Sequence, residues 1–226
     1  MSVWFEAHHE DGDFREYTST STDGGDLSVT AGAALAGTSY GLSYLVDDTV
    51  SLTASRYPTT SYTGIIRGRI YFNPNGLSMA SGSNIFLHYV SSSVWQQPYS
   101  ILCQMVSGNY SIKVNTTRDV GGEAGTGLYA ITNEEHYIEV ETRRASSVSA
   151  SDGTCKLWID NVLKETLTGL DNYDNFCDAY YVCAGYGYNS GTISGTFYTD
   201  ELIINNDGSE IGPVGGGGIT IGLRTA

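Results

Sequence analysis

The amino-acid sequence predicts an all-β fold, a single domain in which two antiparallel sheets pack as a jelly-roll β-sandwich. Short segments of alternating apolar and polar residues recur along the chain, each bounded by Gly, Asn, Asp or Ser. No window of about eleven residues carries the apolar stripe of an amphipathic helix. Because parallel crossovers need long connections, the strands must pair mainly antiparallel and bury their apolar faces between two layers.

Each predicted strand is marked by period-two alternation or by β-branched and aromatic residues. Turn residues support the connections at Asp160-Asn161, at Ser107-Gly108 and after Asn73. In the segment 62–72 the cations Arg67 and Arg69 alternate with apolar residues, which predicts a half-exposed central strand. In chain order, the predicted strands are 3–6, 27–31, 40–45, 50–55, 62–72, 85–90, 100–106, 110–115, 127–131, 136–142, 155–160, 162–167, 179–184 and 196–204.

The length of 226 residues favours one large β-sandwich over two small domains. We predict a sandwich over residues 1–206 and a glycine-rich tail over 207–226. Four consecutive glycines, 215–218, form a flexible connector by composition, and beyond them Ile219, Ile221 and Leu223 alternate like a short strand. The tail is either a free terminus or a peptide, 215–226, that docks by strand addition on another copy or on a capsid or tail protein.

Composition and charge narrow the classes of partner that the chain is expected to bind. The chain is 40% hydrophobic and carries 28 Gly and 17 Tyr, which excludes disorder for most of its length. Its formal charge of -14 repels phosphate backbones and anionic lipid, so we expect no nucleic acid and no membrane insertion. The first residues alternate like a strand and show no signal-peptide pattern, so we expect either a trimmed extracellular protein or a virion component.

The four cysteines are Cys103, Cys155, Cys177 and Cys183, and their spacing contains no metal-binding pair. They are interpreted as buried thiols that behave as small apolar residues. Disulfides to neighbouring strands remain the alternative.

Three segments resemble the concanavalin A-like lectin/glucanase superfamily, and within it the laminin-G-like jelly-roll branch. They are Trp4-Phe5-Glu6 followed by the Gly-Asp turn of 11–17, the hairpin 156–166 with its Leu-Trp-Ile-Asp-Asn-Val-Leu run, and the closing strand 195–204. The resemblance implies that the first and last strands lie side by side. We expect Trp158 of the hairpin to pack in the sandwich core.

The resemblance also implies a metal site. In related domains carboxylates at the ends of the terminal strands help to hold a structural Ca²⁺, and Glu6 and Asp200 stand at the matching positions. Oxygen ligands from separate strands suit the loose coordination of calcium. The alternative is that both residues are ordinary solvated or hydrogen-bonded acids.

Enzymes of the superfamily would need motifs that this chain lacks. Glu139 and Glu141 have the spacing of paired carboxylates, yet no further acid completes the glucanase pattern, so a solvated strand face is favoured. His88-Tyr89 and His136-Tyr137 provide the residue types of a polysaccharide lyase, but its sequence signatures are incomplete. We therefore predict no catalytic residue.

Aromatic side chains are the remaining candidates for ligand contact, because flat rings with polar tips stack on sugars or on protein surfaces. The last third of the chain is rich in tyrosine, including Tyr180, Tyr181 and Tyr198. From this group and from a Ser- and Gln-rich loop, the residues predicted to bind ligand are Trp95, Tyr99, Tyr173, Tyr186 and Tyr188.

These observations favour a non-enzymatic binding or adhesion module that contacts a glycan or a protein surface. The setting that we expect is extracellular or the surface of a virion, with a bacteriophage decoration or adhesion protein as the specific case. A secreted polysaccharide lyase or glycosidase on the same fold is one alternative. A purely structural assembly subunit is the other.

Overall fold

A computed structural model of the chain describes residues 3–57, 64–92, 96–177, 179–184 and 193–215, with the side chains of 182–184 left outside that description. Short 3₁₀ turns occur at Asp23–Gly25 and Ala31–Ala33, and no helix in this part of the chain is long and apolar enough to cross a membrane. The strands are β1 (Val3–Ala7), β2 (Ser19–Ser21), β3 (Leu27–Thr30), β4 (Gly41–Val46), β5 (Leu52–Arg56), β6 (Ile65–Asn73), β7 (Ser78–Met79), β8 (Asn84–Ser91), β9 (Tyr99–Val106), β10 (Asn109–Thr117), β11 (Glu123–Gly125), β12 (Tyr129–Ala130), β13 (His136–Arg143), β14 (Gly153–Ile159), β15 (Val162–Leu170), β16 (Ala179–Ala184) and β17 (Ile193–Asn205).

The strands form two antiparallel sheets, which confirms the predicted jelly-roll β-sandwich. Sheet A has the order β15-β14-β13-β6-β17-β4-β3, and β1 and β7 also pair with β17. Sheet B has the order β11-β10-β9-β8-β16-β5-β2, with β12 paired to β10. The first strand pairs with the last, because Glu6 lies opposite Ile203, so the predicted neighbourhood of the termini is confirmed.

The core lies between the two sheets and follows the period-two alternation of their strands. Tyr44 of β4 and Phe197 of β17 stack with ring centroids 4.5 Å apart, and both are fully buried. From sheet B, Tyr99 reaches across the core until its hydroxyl meets Gly68 of β6. A Cβ added at Gly68 would lie 1.9 Å from that oxygen, so the close approach of the two sheets requires glycine there.

The hairpin between β14 and β15 forms where the sequence predicts it. Asp160 and Asn161 adopt φ angles of 51° and 63°, the left-handed values of a two-residue turn. The placement of Trp158 was predicted wrongly. Cys155, Leu157 and Ile159 point into the core, whereas Trp158 lies half-buried on the outer face, where the guanidinium of Arg67 sits 4.5 Å from its ring centroid.

The outer face of sheet A is also more buried than predicted. Arg67 is 8% exposed and Arg69 is 2% exposed, so β6 is buried on both faces and is not a half-exposed strand. Glu139 and Glu141, expected on a solvated face, are both 2% exposed, and both form ion pairs with Arg67. The sequence shows the alternation of these charges but not what covers them.

The covering element is the segment 205–214, which we call the C-terminal strap. Arg69 Nη1 donates to the Gly212 carbonyl over 2.9 Å, and the carboxylate of Glu139 accepts from the Gly212 amide over 3.0 Å. Farther along, the Val214 amide donates to the Tyr71 hydroxyl over 2.8 Å. The first residues of the predicted tail therefore lie on sheet A as part of the folded unit, and the stretch 216–226 falls outside the described residues.

The described cysteines Cys103, Cys155 and Cys177 are buried and unbridged. Burial raises the pKa of Cys103 and of Cys155 to about 12, which keeps both thiols protonated and unreactive. These three agree with the expectation of buried thiols, and the side chain of Cys183 is not described.

Candidate functional site

The outer face of sheet B carries an apolar cluster that the sheet itself separates from the main core. The cluster consists of Phe86 and Tyr89 on β8 and Leu102 on β9, with Tyr181 of β16 packed against them. Their neighbours along the strands, such as Leu87 and Ile101, point into the core instead. A bulge in β8 between Phe86 and His88 puts both Phe86 and Tyr89 on the outer face, and period-two alternation along β9 does the same for Leu102.

Four rings of this face form what we call the aromatic row: Phe86, Tyr89, Tyr181 and Tyr57. Tyr89 and Tyr181 stack with centroids 4.5 Å apart and planes inclined by 12°. Phe86 packs edge-on against Tyr89 at 6.0 Å, and Tyr57 packs edge-on against Tyr181 at 6.1 Å. At the Tyr57 end of the row, the hydroxyls of Tyr57 and Tyr181 lie 3.2 Å apart.

The row is graded in exposure. Tyr89 is 3% exposed and Phe86 is 7% exposed, whereas Tyr57 is 49% exposed and Tyr181 is half-buried. The inner rings hold the outer ones in place, because an aromatic pair in contact contributes about 1 kcal/mol beyond its burial. Tyr57 and Tyr181 are consequently the accessible, pre-positioned end of the row.

The side chains around the row are neutral and polar. At the described positions of β5, β8 and β9 that face the same way, hydroxyl and amide groups predominate, and no carboxylate, cation or imidazole occurs. Ser100, fully buried opposite Tyr89, has a hydroxyl with no hydrogen-bond partner. The other polar members of the face are Thr53, Ser55, Asn84, Ser91 and Gln104.

The ligand-binding residues predicted from the sequence are dispersed or lie outside the description. Trp95, Tyr186 and Tyr188 are outside the described residues. Tyr99 is fully buried in the core, and Tyr173 is a loop residue whose ring lies 4.5 Å from the guanidinium carbon of Arg144.

None of the rings that do assemble was predicted to bind ligand: Tyr181 was placed only within a broad tyrosine-rich group, and Tyr89 was considered only with His88 as a residue type of a lyase. A usable signal was present, because Tyr180 and Tyr181 are adjacent on a strand and one of them must face outward.

The His-Tyr pair of His88 and Tyr99 does not lie on this face, and a second buried pair, His9 and Tyr17, lies beside Asp200. His88 Nε2 is 3.0 Å from the Tyr99 hydroxyl, and His88 Nδ1 is 2.6 Å from the Tyr181 carbonyl oxygen. Both side chains are fully buried between the sheets. Desolvation lowers the pKa of His88 to about 4 and raises that of Tyr99, so both groups stay neutral and out of reach of a substrate.

The predicted calcium residues Glu6 and Asp200 have separate surroundings. Asp200 is 1% exposed, and its carboxylate has four partners: His9 Nδ1 at 2.9 Å and the Glu201 amide at 2.7 Å on Oδ1, and the Leu35 amide at 3.1 Å and Thr38 Oγ1 at 2.6 Å on Oδ2.

An ionised carboxylate can accept about four hydrogen bonds, so these four partners occupy the acceptor positions of Asp200. Glu6 is largely exposed, with Oε2 3.5 Å from His8 Nε2. No group of three His, Cys, Asp or Glu side chains suited to a metal gathers in the described part of the chain, and the calcium ion stays a prediction.

A bulge in β17 determines which residues join the chain termini. Its pairing with β6 shifts between Asp200 and Ile203, and Glu201 adopts a φ of 53°. Asp200 consequently meets His9, while Glu201 meets both His8, at 2.8 Å, and Arg69, at 2.9 Å. Two adjacent histidines and two adjacent acids thus tie the first strand to the last one.

Comparison with known proteins supports the fold and goes no further. The sequence matches no protein-family model and no curated protein. Among solved structures, the chain is similar to the globular domain of T. cruzi calreticulin, with a TM-score of 0.61, 11% identity and coverage of 91% of this chain and 88% of that one.

An alginate lyase, Aly36B, in complex with alginate tetrasaccharide gives a TM-score of 0.62 at 9% identity, covering 89% and 96%. The cellulose-induced protein Cip1 gives 0.61 at 12% identity, covering 92% and 99%. The chain thus shares its β-sandwich architecture with proteins that it scarcely resembles in sequence.

Proposed function

We propose that this protein is a non-enzymatic carbohydrate-binding module that holds a neutral glycan on the outer face of sheet B. The observation that carries the proposal is the aromatic row, with the exposed Tyr57 and the half-buried Tyr181 at its accessible end. Sugar rings have apolar faces that stack on aromatic rings, and their hydroxyls pair with the polar tips and with nearby serines. The solved complex of a similar fold with an alginate tetrasaccharide supports a saccharide as the ligand class.

Charge favours a neutral glycan over an acidic one. The chain carries a formal charge of -14, and the described centre of the face has no cation to offset a uronate carboxylate. The cationic residues in the strands of sheet B are Lys113 on β10 and Arg56, which is exposed at the end of β5 directly before Tyr57. A polyuronate would therefore meet repulsion over most of the surface.

Catalysis is the second candidate and has less support. A lyase needs a base within reach of the substrate, whereas His88 and Tyr99 are enclosed between the sheets, and the other hydrogen-bonded pair, His9 and Tyr17, is also buried. The acids of sheet A, Glu139 and Glu141, are bound to cations and covered by the strap.

Affinity electrophoresis in gels containing neutral or acidic polysaccharides tests the proposal. We expect retardation by a neutral polysaccharide, and at least tenfold weaker binding for Tyr57→Ala and Tyr181→Ala. Tyr173→Ala is the matched control, because that ring is similarly exposed but lies in a loop against Arg144. Equal binding by all three variants would place the ligand elsewhere, and release of unsaturated or reducing ends would establish an enzyme.

The biological setting is a finer part of the same proposal. A module that binds glycan without cleaving it suits adhesion, either outside a cell or on the surface of a virion. Neighbouring genes for capsid and tail proteins would support a bacteriophage particle. Neighbouring genes for sugar transport would contradict it.

A further inference from the structure

Three loops meet at the end of sheet B where β10 ends and where β9 and β16 begin. They contain residues 96–97, 117–119 and 171–175, and we call their meeting point the loop junction. The Thr117 amide donates to the Gln97 carbonyl over 2.9 Å, and the Asp119 amide donates to the Asp171 carbonyl over 2.6 Å. Main-chain hydrogen bonds thus join all three loops into one local structure.

Side chains connect the loops a second time. Oδ1 of Asp119 accepts from the Asp174 amide over 3.0 Å, and Nδ2 of Asn175 donates to the Thr117 carbonyl over 2.6 Å. Because Asp174 and Asn175 are consecutive, the Asp119 carboxylate and the Asn175 amide are held at adjacent positions. The second carboxylate oxygen of Asp119 and the amide oxygen of Asn175 remain for a further partner.

Three oxygens of the loop junction are buried and have no hydrogen-bond partner: Asp119 Oδ2, Asn175 Oδ1 and Gln96 Oε1. Asn175 is only 1% exposed, so bulk water does not solvate its oxygen. Leaving a buried acceptor without a partner destabilises the folded state, and more so when the group is charged. All three atoms are acceptors, so the partner that each one lacks is a hydrogen-bond donor or a cation.

The local charge also favours a cation. The loops of the junction contain three acidic residues, Asp119, Asp171 and Asp174, and one cation, Arg118, whose Nε lies 3.0 Å from Asp171 Oδ1. We propose that the loop junction binds Ca²⁺ through Asp119 Oδ2, Asn175 Oδ1 and Gln96 Oε1, with water completing the shell. One carboxylate with amide oxygens and water suits calcium, which takes six to eight oxygen ligands in flexible geometry.

Calorimetric titration of the full chain with CaCl₂, after removal of divalent ions by a chelator, tests this site. We expect one Ca²⁺ per chain and a higher melting temperature with Ca²⁺ than with chelator. Asp119→Asn should weaken binding at least tenfold, because it removes the one charged ligand while it keeps the shape. Asp47→Asn, at an exposed acid in a different loop, should bind as the unmodified chain does.

The substitution Asn175→Asp distinguishes a site that binds a cation from one that holds a buried water molecule. A second carboxylate should tighten Ca²⁺ binding and lower the stability of the Ca²⁺-free chain, whereas a water site would show only the loss of stability. Absence of binding heat, or unchanged affinity in Asp119→Asn, overturns the proposal. Loss of binding in Glu6→Gln with normal binding in Asp119→Asn would assign the ion to the chain termini.

Discussion

His8 and Glu201 are joined by a hydrogen bond of 2.8 Å between Nδ1 and Oε1, although 193 positions separate them in the chain. The same carboxylate also binds Arg69 of β6, so one acid of the last strand links the residue after β1 to the centre of sheet A. This contact makes the association of the termini dependent on the charge of a histidine.

Stability should fall as the solution becomes alkaline. The hydrogen bond to Glu201, together with the charges of Glu201 and Glu6, raises the pKa of His8 from 6.5 to about 9. The folded state therefore retains a proton that the unfolded chain releases, so the contribution is complete below pH 6.5 and is lost as the pH rises through 9. Urea unfolding at a series of pH values should show this slope in the unmodified chain and not in His8→Gln. A variant with the same slope would assign the titration to another group.

His88 should act in the opposite direction. Burial lowers its pKa to about 4, so in acid the unfolded chain takes up a proton that the folded chain refuses. Between pH 6.5 and 4 the stability should fall with falling pH, by at most about 3 kcal/mol from this residue. NMR titration of the ring measures the effect directly. A His88 titration near pH 6.5 would contradict burial between the sheets.

The contact between Gly68 and Tyr99 should tolerate no added methyl group. Gly68→Ala would place a Cβ 1.9 Å from the Tyr99 hydroxyl, and we expect a loss of about 3 kcal/mol. Gly64→Ala is the control, because nothing lies within 4 Å of its added Cβ. Adding Tyr99→Phe to Gly68→Ala removes the clashing oxygen and should recover part of the loss in urea unfolding. Tyr99→Phe alone is the reference, because it also removes the hydrogen bond to His88, and no recovery relative to that reference would mean that the strain lies elsewhere.

Two truncations of the C-terminus should differ in stability, because only one of them removes the strap. Removal of 207–226 exposes Arg67, Arg69 and Glu139 without the main-chain partners that now satisfy them, and we expect a loss of about 3 kcal/mol or more. Removal of 216–226 keeps those partners and should leave the melting temperature nearly unchanged. Equal destabilisation by the two truncations would show that residues beyond the strap carry the effect.

The docking of the tail on a partner is checked by the same pair of variants. If 215–226 joins another copy by strand addition, removal of 216–226 should convert an oligomer into a monomer in light scattering. A full-length chain that is already monomeric would remove self-association and leave a different structural protein as the candidate partner.

Local sequence patterns were sufficient for the secondary structure. Every predicted strand coincides with an observed one, since alternation and turn residues act over a few neighbouring positions. Asp160 and Asn161 adopt the backbone angles that their turn requires, and the three strands that were missed, β2, β7 and β11, are each at most three residues long. Such short pairings depend on neighbours distant in the chain.

The sequence by itself determined the class of fold and the hairpins, and the resemblance of its first and last segments to a known superfamily implied the pairing of the first strand with the last. Tertiary structure decided which face of each strand is covered. Trp158 was assigned to the core and lies outside it, while Arg67 and Glu139 alternate as an exposed face would and are buried under the strap. Alternation shows only that two faces differ, because burial depends on what packs against each face, and at sheet A that element is contributed by residues far along the chain.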